Sequence, residues 1–412
     1  MSYASVSTLL LSVVLGFCTA GRSVFASDDH QPPPEPVPRT YFGMHIHRAA
    51  TSTPWPQISF GSWRLWDAAV HWSKLEPGRG DWDFSILDQE VRLAQQHDVE
   101  VLLTFGRTPA WASARPNEKT GHRAGKQGAA AEPKDIADWR NYVRTVASRY
   151  KGRIRGYEIW NEPNLPNFYT GSPESMVVLA QEAYSAIKAI DPNAIVVSPS
   201  AVGPTGLPWL EKFLAAGGGR YVDVIGYHLY VRTQPPEAMV DRAHQVRQIM
   251  TRYDVGDKPL WNTEAGRQTW GGPPIADESE ESPGYIARSY ILNWAAGVRR
   301  YYWYAWDNAG MGVHMTKEDA ATLTPAAVAY DRIESVLLGT RMMSLNHSGS
   351  TWECELRRGH KSLWLVWNTD GNASFSPPQS WAVRTATRLL DNSQALRGGQ
   401  KTQIGLIPTV FQ

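Results

Sequence analysis

The chain has few cysteines and no excess of charge of either sign. Cys18 and Cys354 are the only cysteines among 412 residues, too few for a disulfide framework or a thiolate zinc site. Lysine and arginine total 41 against 40 aspartates and glutamates, a formal net charge of +1. This balance gives no electrostatic basis for binding nucleic acid or an anionic membrane surface. The sequence therefore predicts neither a nucleic-acid-binding protein nor a disulfide-stapled one.

Long apolar runs are also scarce, and the one at the N-terminus is short. Residues 6–20 are uncharged and apolar, about the length of a signal-peptide core and short for a membrane span. Small residues flank Phe25 at a suitable cleavage position near Ala26. We expect 1–26 to be a signal peptide of a periplasmic or secreted protein, with an uncleaved membrane anchor as the alternative. The polar, proline-rich segment 27–40 is typical of a tether.

From residue 41 to 338, short apolar runs alternate with longer stretches of helical character. The predicted strands, in chain order, are 41–47, 62–67, 100–105, 154–160, 194–199, 222–230, 258–264 and 300–306. Several are almost continuously apolar, as expected of strands buried on both faces. Eight strand–helix units predict an α/β fold, a (β/α)₈ TIM barrel. A doubly wound sheet is the alternative, but no glycine-rich phosphate loop follows the first strand.

After residue 338 the pattern changes to short strands joined by polar turns. The strand candidates are 351–357, 362–368, 380–389 and 402–411. They predict a small C-terminal β-sandwich over 339–412, packed on the barrel.

The polar residues of the barrel collect where its predicted strands end. Functional side chains of such barrels gather at the carboxyl ends of the strands. Glu162 follows the fourth strand within Ile-Trp-Asn-Glu-Pro-Asn, and Glu264 ends the seventh within Trp-Asn-Thr-Glu. Two carboxylates facing each other across a barrel mouth are what glycoside hydrolysis requires, one as acid and one as nucleophile or base. The pair therefore indicates a glycosidase.

These two motifs resemble the retaining glycoside hydrolases of clan A. Within the clan they are most similar to family 39, particularly its bacterial branch associated with exopolysaccharide gene clusters. Tyr-Glu-Ile-Trp-Asn-Glu-Pro-Asn at 157–164 is the specific motif, and the strand-seven match is less specific. The likeness covers about 41–338 and weakens beyond it.

The resemblance implies a role for each matching residue. Glu162 corresponds to the general acid/base and Glu264 to the nucleophile, with carboxyl groups about 5–5.5 Å apart for a retaining mechanism. Asn161 would bind the sugar 2-hydroxyl, and Arg64 would keep the nucleophile ionised. The other implied site residues are Tyr230, which would donate to the nucleophile, His228 beside it, and Trp303 as the floor of the sugar site, with Trp306 as the alternative.

Other aromatic and imidazole side chains are weaker candidates. His45 and His47 alternate with Ile46 on the first strand, so either could face a sugar, and Trp111 follows the third strand. Core packing is the competing interpretation for each of these residues, and for His228 and Trp306. The strand-one histidines have no evident third ligand, so the sequence predicts no metal and no cofactor.

The predicted function is that of a retaining β-glycosidase acting on an oligo- or polysaccharide. Endo-action on a bacterial exopolysaccharide is favoured, and exo-action as a β-xylosidase is the alternative. A polysaccharide-binding or assembly protein without essential catalysis is the hypothesis from another class. Neither the sugar nor the oligomeric state can be inferred from the residues alone.

Overall fold

A computed structural model describes residues 32–119, 127–269, 273–396 and 400–412. The predicted signal peptide, 1–26, lies outside the described residues, and its cleavage stays a prediction. Within the described part, no helix is both long enough and apolar enough to span a membrane.

A parallel sheet curls around the axis of the N-terminal domain and confirms the predicted barrel. Its strands are β1 (Phe42–Met44), β2 (Ser62–Leu65), β3 (Glu100–Thr104), β4 (Gly156–Glu158), β5 (Ile195–Val197), β6 (Ala201–Val202), β7 (Ile225–His228), β8 (Leu260–Ala265) and β9 (Val298–Trp303). The order is β5-β4-β3-β2-β1-β9-β8-β7-β6. A parallel bridge from Val197 to Val224, just before β7, closes the circle. Because β5 and β6 form one interrupted strand, the barrel has eight positions.

Helices surround this sheet. They are α1 (Trp72–Leu75), α2 (Ser85–Gln96), α3 (Ile136–Arg149), α4 (Pro173–Ile190), α5 (Gly203–Ala215), α6 (Ala238–Arg252), α7 (Glu281–Ala295) and α8 (Pro325–Leu337). Side-chain caps begin several of them: Asp135, Ser172 and Thr324 each accept a hydrogen bond from a backbone N–H of the first turn, which satisfies an otherwise unpaired donor. All residues of α7 except Glu281 are buried, because this helix lies between the barrel and the C-terminal domain.

The C-terminal domain is antiparallel, in agreement with the predicted β-sandwich. Its strands are β10 (Arg341–Ser348), β11 (Thr351–Arg358), β12 (Lys361–Asn368), β13 (Ala373–Phe375), β14 (Thr385–Arg388), β15 (Gln394–Ala395), β16 (Thr402–Ile404) and β17 (Thr409–Phe411). Six form one sheet, β10-β11-β12-β17-β14-β15, and β13 pairs with β16. The predicted strand at 380–389 begins only at residue 385, since a 3₁₀ turn occupies Gln379–Trp381.

Buried polar contacts join the two domains. The indole Nε1 of Trp367 donates to Glu237 at 3.0 Å, and Arg288 binds the same carboxylate oxygen at 2.9 Å. Arg358 donates to the carbonyl groups of Ser335, Val336 and Leu338 at the end of α8, where cations are favoured by the helix dipole. These contacts fix the sandwich against the helical layer of the barrel, at the N-terminus of α6 and the C-terminus of α8.

Part of the predicted tether lies against the barrel. Val37 is 1% exposed and exchanges backbone hydrogen bonds with Gly339 and Thr340. The described part of the predicted tether, 32–40, is therefore attached to the folded protein, because the Val37 side chain is buried and its backbone is paired with the start of the C-terminal domain. Residues 27–31 lie outside the described part.

We expect Gly61→Ala to destabilise the protein. A Cβ atom at residue 61 would lie 2.2 Å from the carbonyl oxygen of Arg39, and the collision would force the N-terminal segment away from β2. Such overpacking costs roughly 1–3 kcal/mol. Gly78→Ala is the control, since its nearest neighbour would be 3.5 Å away. Denaturant unfolding measures both, and equal midpoints would contradict the close packing.

Candidate active site

A buried arginine is at the centre of the polar cluster inside the barrel. Arg64, on β2, is 1% exposed. Its Nη1 donates to Glu264 at 2.8 Å, its Nη2 to Asn161 Oδ1 at 2.8 Å, and its Nε to Glu158 at 2.7 Å. Burial alone would lower its pKa, but the two carboxylates outweigh burial and raise it. The guanidinium of Arg64 is planar and permanently charged. Its hydrogen bonds therefore hold Glu158 on β4, Glu264 on β8 and Asn161 in the loop after β4.

Glu158 is a member of the site that the sequence interpretation left without a role. Besides Arg64 it accepts hydrogen bonds from Thr104 Oγ1 at 2.6 Å and from Ser200 Oγ. Burial acts to raise its pKa, but Arg64 and these donors more than compensate and hold the pKa below its ordinary value. In the sequence, Glu158 is a charged residue in a predicted buried strand. Charged residues at such positions are usually paired with an opposite charge.

The two candidate catalytic carboxylates lie close together. Nδ1 of His228 is 2.9 Å from Oε1 of Glu162 and 4.0 Å from Oε1 of Glu264. Oxygen atoms of the two carboxylates lie within 4.8 Å of one another. Retaining glycosidases place their carboxyl groups about 5–5.5 Å apart, whereas inverting enzymes need about 6.5–9.5 Å. An oxygen–oxygen approach this close is consistent with the retaining spacing.

The electrostatic surroundings give these two carboxylates different acidities. Burial raises the pKa of Glu162 to about 8, and only Arg64 acts against it. Burial also raises the pKa of Glu264, to about 7, and the Arg64 guanidinium, in direct contact, opposes this rise. Arg64 and Tyr230 donate to Glu264, whereas the side chain of Glu162 contacts only His228 among the described residues, so the surroundings favour the anion at Glu264 and the protonated form at Glu162. Two carboxyl groups with pKa values pushed apart mark the acid and the anion of such a site.

Local backbone irregularities aim both carboxylates into the mouth. Glu162 has a left-handed backbone, with φ of 44°, an unfavourable conformation for a residue with a Cβ that persists where the surroundings impose it. Its N–H donates to the carbonyl of Ser200 at 2.9 Å, which holds this turn. On β8 the register relative to β9 shifts between Asn262 and Ala265, and such a bulge turns Glu264 inward.

Two further predicted site residues contact the carboxylates. The Tyr230 hydroxyl donates to Oε1 of Glu264 at 3.0 Å. Burial, followed by the charge of Glu264, raises the pKa of Tyr230 well above its usual range, so it remains a donor. His228 is 0% exposed, and burial lowers its pKa to about 4. It is thus a neutral group that orients Glu162, rather than an open wall of the sugar site.

The remaining strand-one and strand-eight candidates are buried behind the mouth. His45 is 0% exposed, and its Nε2 contacts the carbonyl oxygen of Thr263 at 3.1 Å. Trp306 is 1% exposed, with its backbone N–H bound to the carbonyl of His45. His45 and Trp306 therefore pack beneath the site and do not face the open mouth. His47 contacts Asp307 instead, with 3.7 Å between Nδ1 and Oδ1.

Trp303 does not face the barrel interior, and the resemblance-based assignment to it is wrong for this strand. Its ring lies 6.3 Å from that of Tyr285 on α7, on the helical side of the sheet. The neighbouring Tyr302 joins the interior cluster with Leu102 and Trp261. Because side chains alternate along a strand, Tyr304 is the next inward residue. Its ring is 5.0 Å from that of His45, making Tyr304 the strand-eight aromatic of the mouth.

Trp111 is also placed away from the carboxylates. Its Nε1 donates to the carbonyl of Glu76 at 3.0 Å, its ring packs edge-on against Trp72, and the guanidinium of Arg79 lies 4.8 Å above it. The loop after β3 carries it outward over α1, so Trp111 packs the outside of the barrel.

The cluster of Glu162, His228 and Glu264 could in principle offer three ligand atoms to a metal ion. The permanent charge of Arg64, 2.8 Å from Glu264, opposes a second cation there. The absence of a metal and of a cofactor stays a prediction.

Comparisons with known proteins agree with this geometry. Residues 133–330 match the family profile of the glycosyl hydrolase catalytic core, and residues 65–195 match glycosyl hydrolase family 10. A β-xylosidase from Geobacillus stearothermophilus is 27% identical over 50% of this chain and 45% of its own length. A β-xylosidase from Caldicellulosiruptor saccharolyticus is 32% identical over 37% of this chain and 32% of its own length. The chain thus matches less than half of either relative.

Solved structures share the fold. A family 39 glycoside hydrolase from Bacteroides cellulosilyticus superposes with a TM-score of 0.72 at 17% identity, covering 92% of this chain and 81% of that one. A family 39 β-xylosidase from Caulobacter crescentus gives 0.64 at 16% identity, covering 92% and 97%. At these identities the structures show a shared fold, and the similarity to glycosyl hydrolases rests also on the sequence matches.

We expect Glu158→Gln to destabilise the protein by about 3 kcal/mol at neutral pH, because it leaves Arg64 buried with one anionic partner fewer. The folded-state pKa of Glu158 lies below its ordinary 4.5, so the stabilisation is present above that value and is lost as the pH falls through the folded pKa. The difference in unfolding free energy between wild type and variant should therefore shrink from pH 6 to pH 3.

Glu182→Gln is the control for this comparison, since it removes a carboxylate from an ion pair with Arg140 at the protein surface. Exposed pairs contribute little, so its stability should stay close to that of wild type. A Glu158→Gln protein as stable as this control at pH 7 would contradict the role assigned to Glu158.

Proposed function

We propose that the protein is a retaining β-glycosidase that uses Glu162 as acid/base and Glu264 as nucleophile. The observation that carries the proposal is the close approach of these carboxylates, with one oxygen of each within 4.8 Å of the other, in unlike surroundings: Arg64 and Tyr230 donate to Glu264, and His228 contacts Glu162. A close pair in which one carboxylate is stabilised as the anion is what double displacement needs.

In the first step, a carboxylate oxygen of Glu264 attacks the anomeric carbon while the bond to the leaving oxygen breaks and Glu162 gives that oxygen its proton. The product is a glycosyl ester on Glu264. Esterification removes the negative charge next to Glu162, which lowers its pKa and suits it to act as base. Glu162 then takes a proton from water, the water oxygen attacks the anomeric carbon, and Glu264 leaves as a carboxylate.

Surrounding residues hold both groups in these roles. Arg64 and Tyr230 each donate to one oxygen of Glu264, stabilising its anion before attack and after departure. Asn161 is fixed by Arg64 through its Oδ1, which leaves its amide N–H₂ to donate to a sugar hydroxyl. Its 1% exposure fits a group that meets only the bound substrate.

The substrate is a β-linked oligo- or polysaccharide in this proposal. Endo-action on a bacterial exopolysaccharide remains the favoured substrate prediction, together with export to the periplasm or the outside of the cell. The two curated relatives are named β-xylosidases, which favours exo-action on β-xylosides as the second candidate. A third curated match is named an endo-1,4-β-xylanase and is 22% identical over 52% of this chain.

Replacing the nucleophile should lower the rate of hydrolysis by several orders of magnitude, because no covalent ester can form. We expect Glu264→Gln to be inactive on every substrate that wild type cleaves, in a reducing-end release assay over β-linked polysaccharides and aryl β-glycosides. Preference for polymers or for aryl xylosides then separates endo- from exo-action.

Glu162→Gln serves as the matched variant in the same assay. It should lose roughly 10²–10⁴-fold on polymers, but much less on aryl glycosides whose leaving groups need no proton. Equal activity of Glu264→Gln and wild type would refute the proposal. A folded wild type that is as inactive as Glu264→Gln would instead favour polysaccharide binding or assembly as the function.

The pH dependence should be bell-shaped. Catalysis needs Glu264 ionised, so activity rises as the pH passes its pKa of about 7. It also needs Glu162 protonated, so activity falls as the pH passes its pKa of about 8. The maximum of kcat/KM is expected between these values. In Glu162→Gln, assayed on an activated aryl glycoside, the alkaline limb should vanish. An alkaline limb that persists there would assign it to another group.

A further inference from the structure

A third carboxylate stands in the barrel mouth. Asp67 lies two residues beyond the end of β2, and its side chain is 31% exposed. The Tyr304 hydroxyl donates to its Oδ2 at 2.6 Å. This contact passes over the end of β1, since Tyr304 follows β9, and β2 and β9 flank β1 in the sheet. The aspartate is thus fixed in one orientation without being buried.

The carboxylate has unused capacity to accept hydrogen bonds. An ionised carboxylate offers about four acceptor positions, and the Tyr304 bond fills one of them. Arg107 is the nearby cation, but its Nη2 is 3.9 Å from Oδ1, too far for a hydrogen bond. Among the described residues, no other side chain donates to Asp67. Its side chain is partly exposed, so its remaining positions are accessible to a ligand.

Arg107 cannot easily move closer to neutralise this charge. Its guanidinium lies over the rings of Trp66 and Phe168, at 5.0 and 5.8 Å from their centroids, and its side chain is 7% exposed. Its backbone is left-handed, with φ of 57°. The arginine is held by its aromatic neighbours, which leaves Asp67 free to bind a substrate group.

Asp67 is also close to the reacting groups, because its partner Tyr304 donates its backbone N–H to the carbonyl oxygen of Ala265, the residue after Glu264, at 3.0 Å. Its charge raises the pKa values of both Glu162 and Glu264, and it helps to keep the proton on Tyr304, whose pKa burial raises well above the usual range. A group that acts on both catalytic carboxylates, while remaining partly exposed, lies beside the space in which a sugar would react.

We propose that Asp67 accepts a hydrogen bond from a hydroxyl of the sugar held between Glu162 and Glu264, and that it selects neutral sugars over uronic acids. The inference rests on the proposed glycosidase function. A hydroxyl can donate to the free positions of the carboxylate, whereas a uronate would bring a like charge into a site that already holds the anion of Glu264. Like charges in such a site are disfavoured.

Asp67→Asn tests the proposal with aryl β-glucoside and aryl β-glucuronide, which differ at carbon 6. The amide keeps an oxygen for Tyr304 but loses the charge. We expect kcat/KM on the glucoside, or on the aryl xyloside if that is the better substrate, to fall roughly 10- to 100-fold, the effect of weakening a hydrogen bond to a charged group. The preference for neutral substrate over glucuronide should fall by a similar factor.

Two control variants distinguish a direct contact of Asp67 with the substrate from a role of Asp67 in positioning Tyr304. Tyr304→Phe removes the hydrogen bond but keeps the carboxylate, so it should retain the preference for neutral substrates. Asp370→Asn changes an exposed aspartate in a turn of the C-terminal domain and should leave both substrates unaffected. If Asp67→Asn lost both substrates equally, in parallel with Tyr304→Phe, Asp67 would only brace the tyrosine and the inference would be overturned.

A binding measurement on inactive variants tests the role of Asp67 without relying on catalysis. Glu264→Gln and the double variant Glu264→Gln/Asp67→Asn are titrated with xylobiose and with glucuronic acid, followed by tryptophan fluorescence. Asp67→Asn should weaken xylobiose binding and should not weaken that of glucuronic acid. Unchanged xylobiose affinity, or no saturable binding, would overturn the role of Asp67. The glycosidase proposal stands or falls separately, on the activity of wild type against Glu264→Gln.

Discussion

The buried guanidinium of Arg64 is the constraint on which the rest of the site depends. A permanent cation that is 1% exposed requires anions and acceptors around it, since an isolated buried charge is very costly. Glu158, Glu264 and Asn161 meet that requirement. The same contacts that satisfy the arginine therefore place the nucleophile and the amide in the mouth. Stability and function share one set of hydrogen bonds.

The different roles of the three carboxylates follow from the hydrogen-bond partners of each. Glu158 has the full set of donors and stays ionised despite burial. Glu264 has Arg64 and Tyr230, while Glu162 has only the neutral His228 as a direct hydrogen-bond partner among the described residues. A falling number of positive and donating neighbours thus orders the three groups from structural anion to nucleophile to acid.

The barrel supplies the geometry through departures from regular structure. Parallel strands deliver their carboxyl ends to one rim, but a regular strand would turn alternate residues outward. The register shift on β8 and the left-handed backbone of Glu162 redirect the two catalytic side chains. Where β9 stays regular, as far as Trp303, alternation instead removes that tryptophan from the site and leaves Tyr304 in its place. The sandwich is attached through Glu237 and α8 to the helical layer of the barrel.

The amino-acid sequence alone determined the barrel, the sandwich, and the two motifs that hold Glu162 and Glu264, because periodicity and turn chemistry are local properties. The resemblance of these motifs to clan A glycoside hydrolases also implied Arg64, Asn161 and Tyr230. Tertiary structure decided which neighbours these residues have: Glu158 as the partner of Arg64, His228 as the partner of Glu162, and Tyr304 rather than Trp303 in the mouth. It also moved Trp111 to the outer surface. A one-residue change in strand register reverses the direction of a side chain, and only the closed barrel shows which residues meet across it.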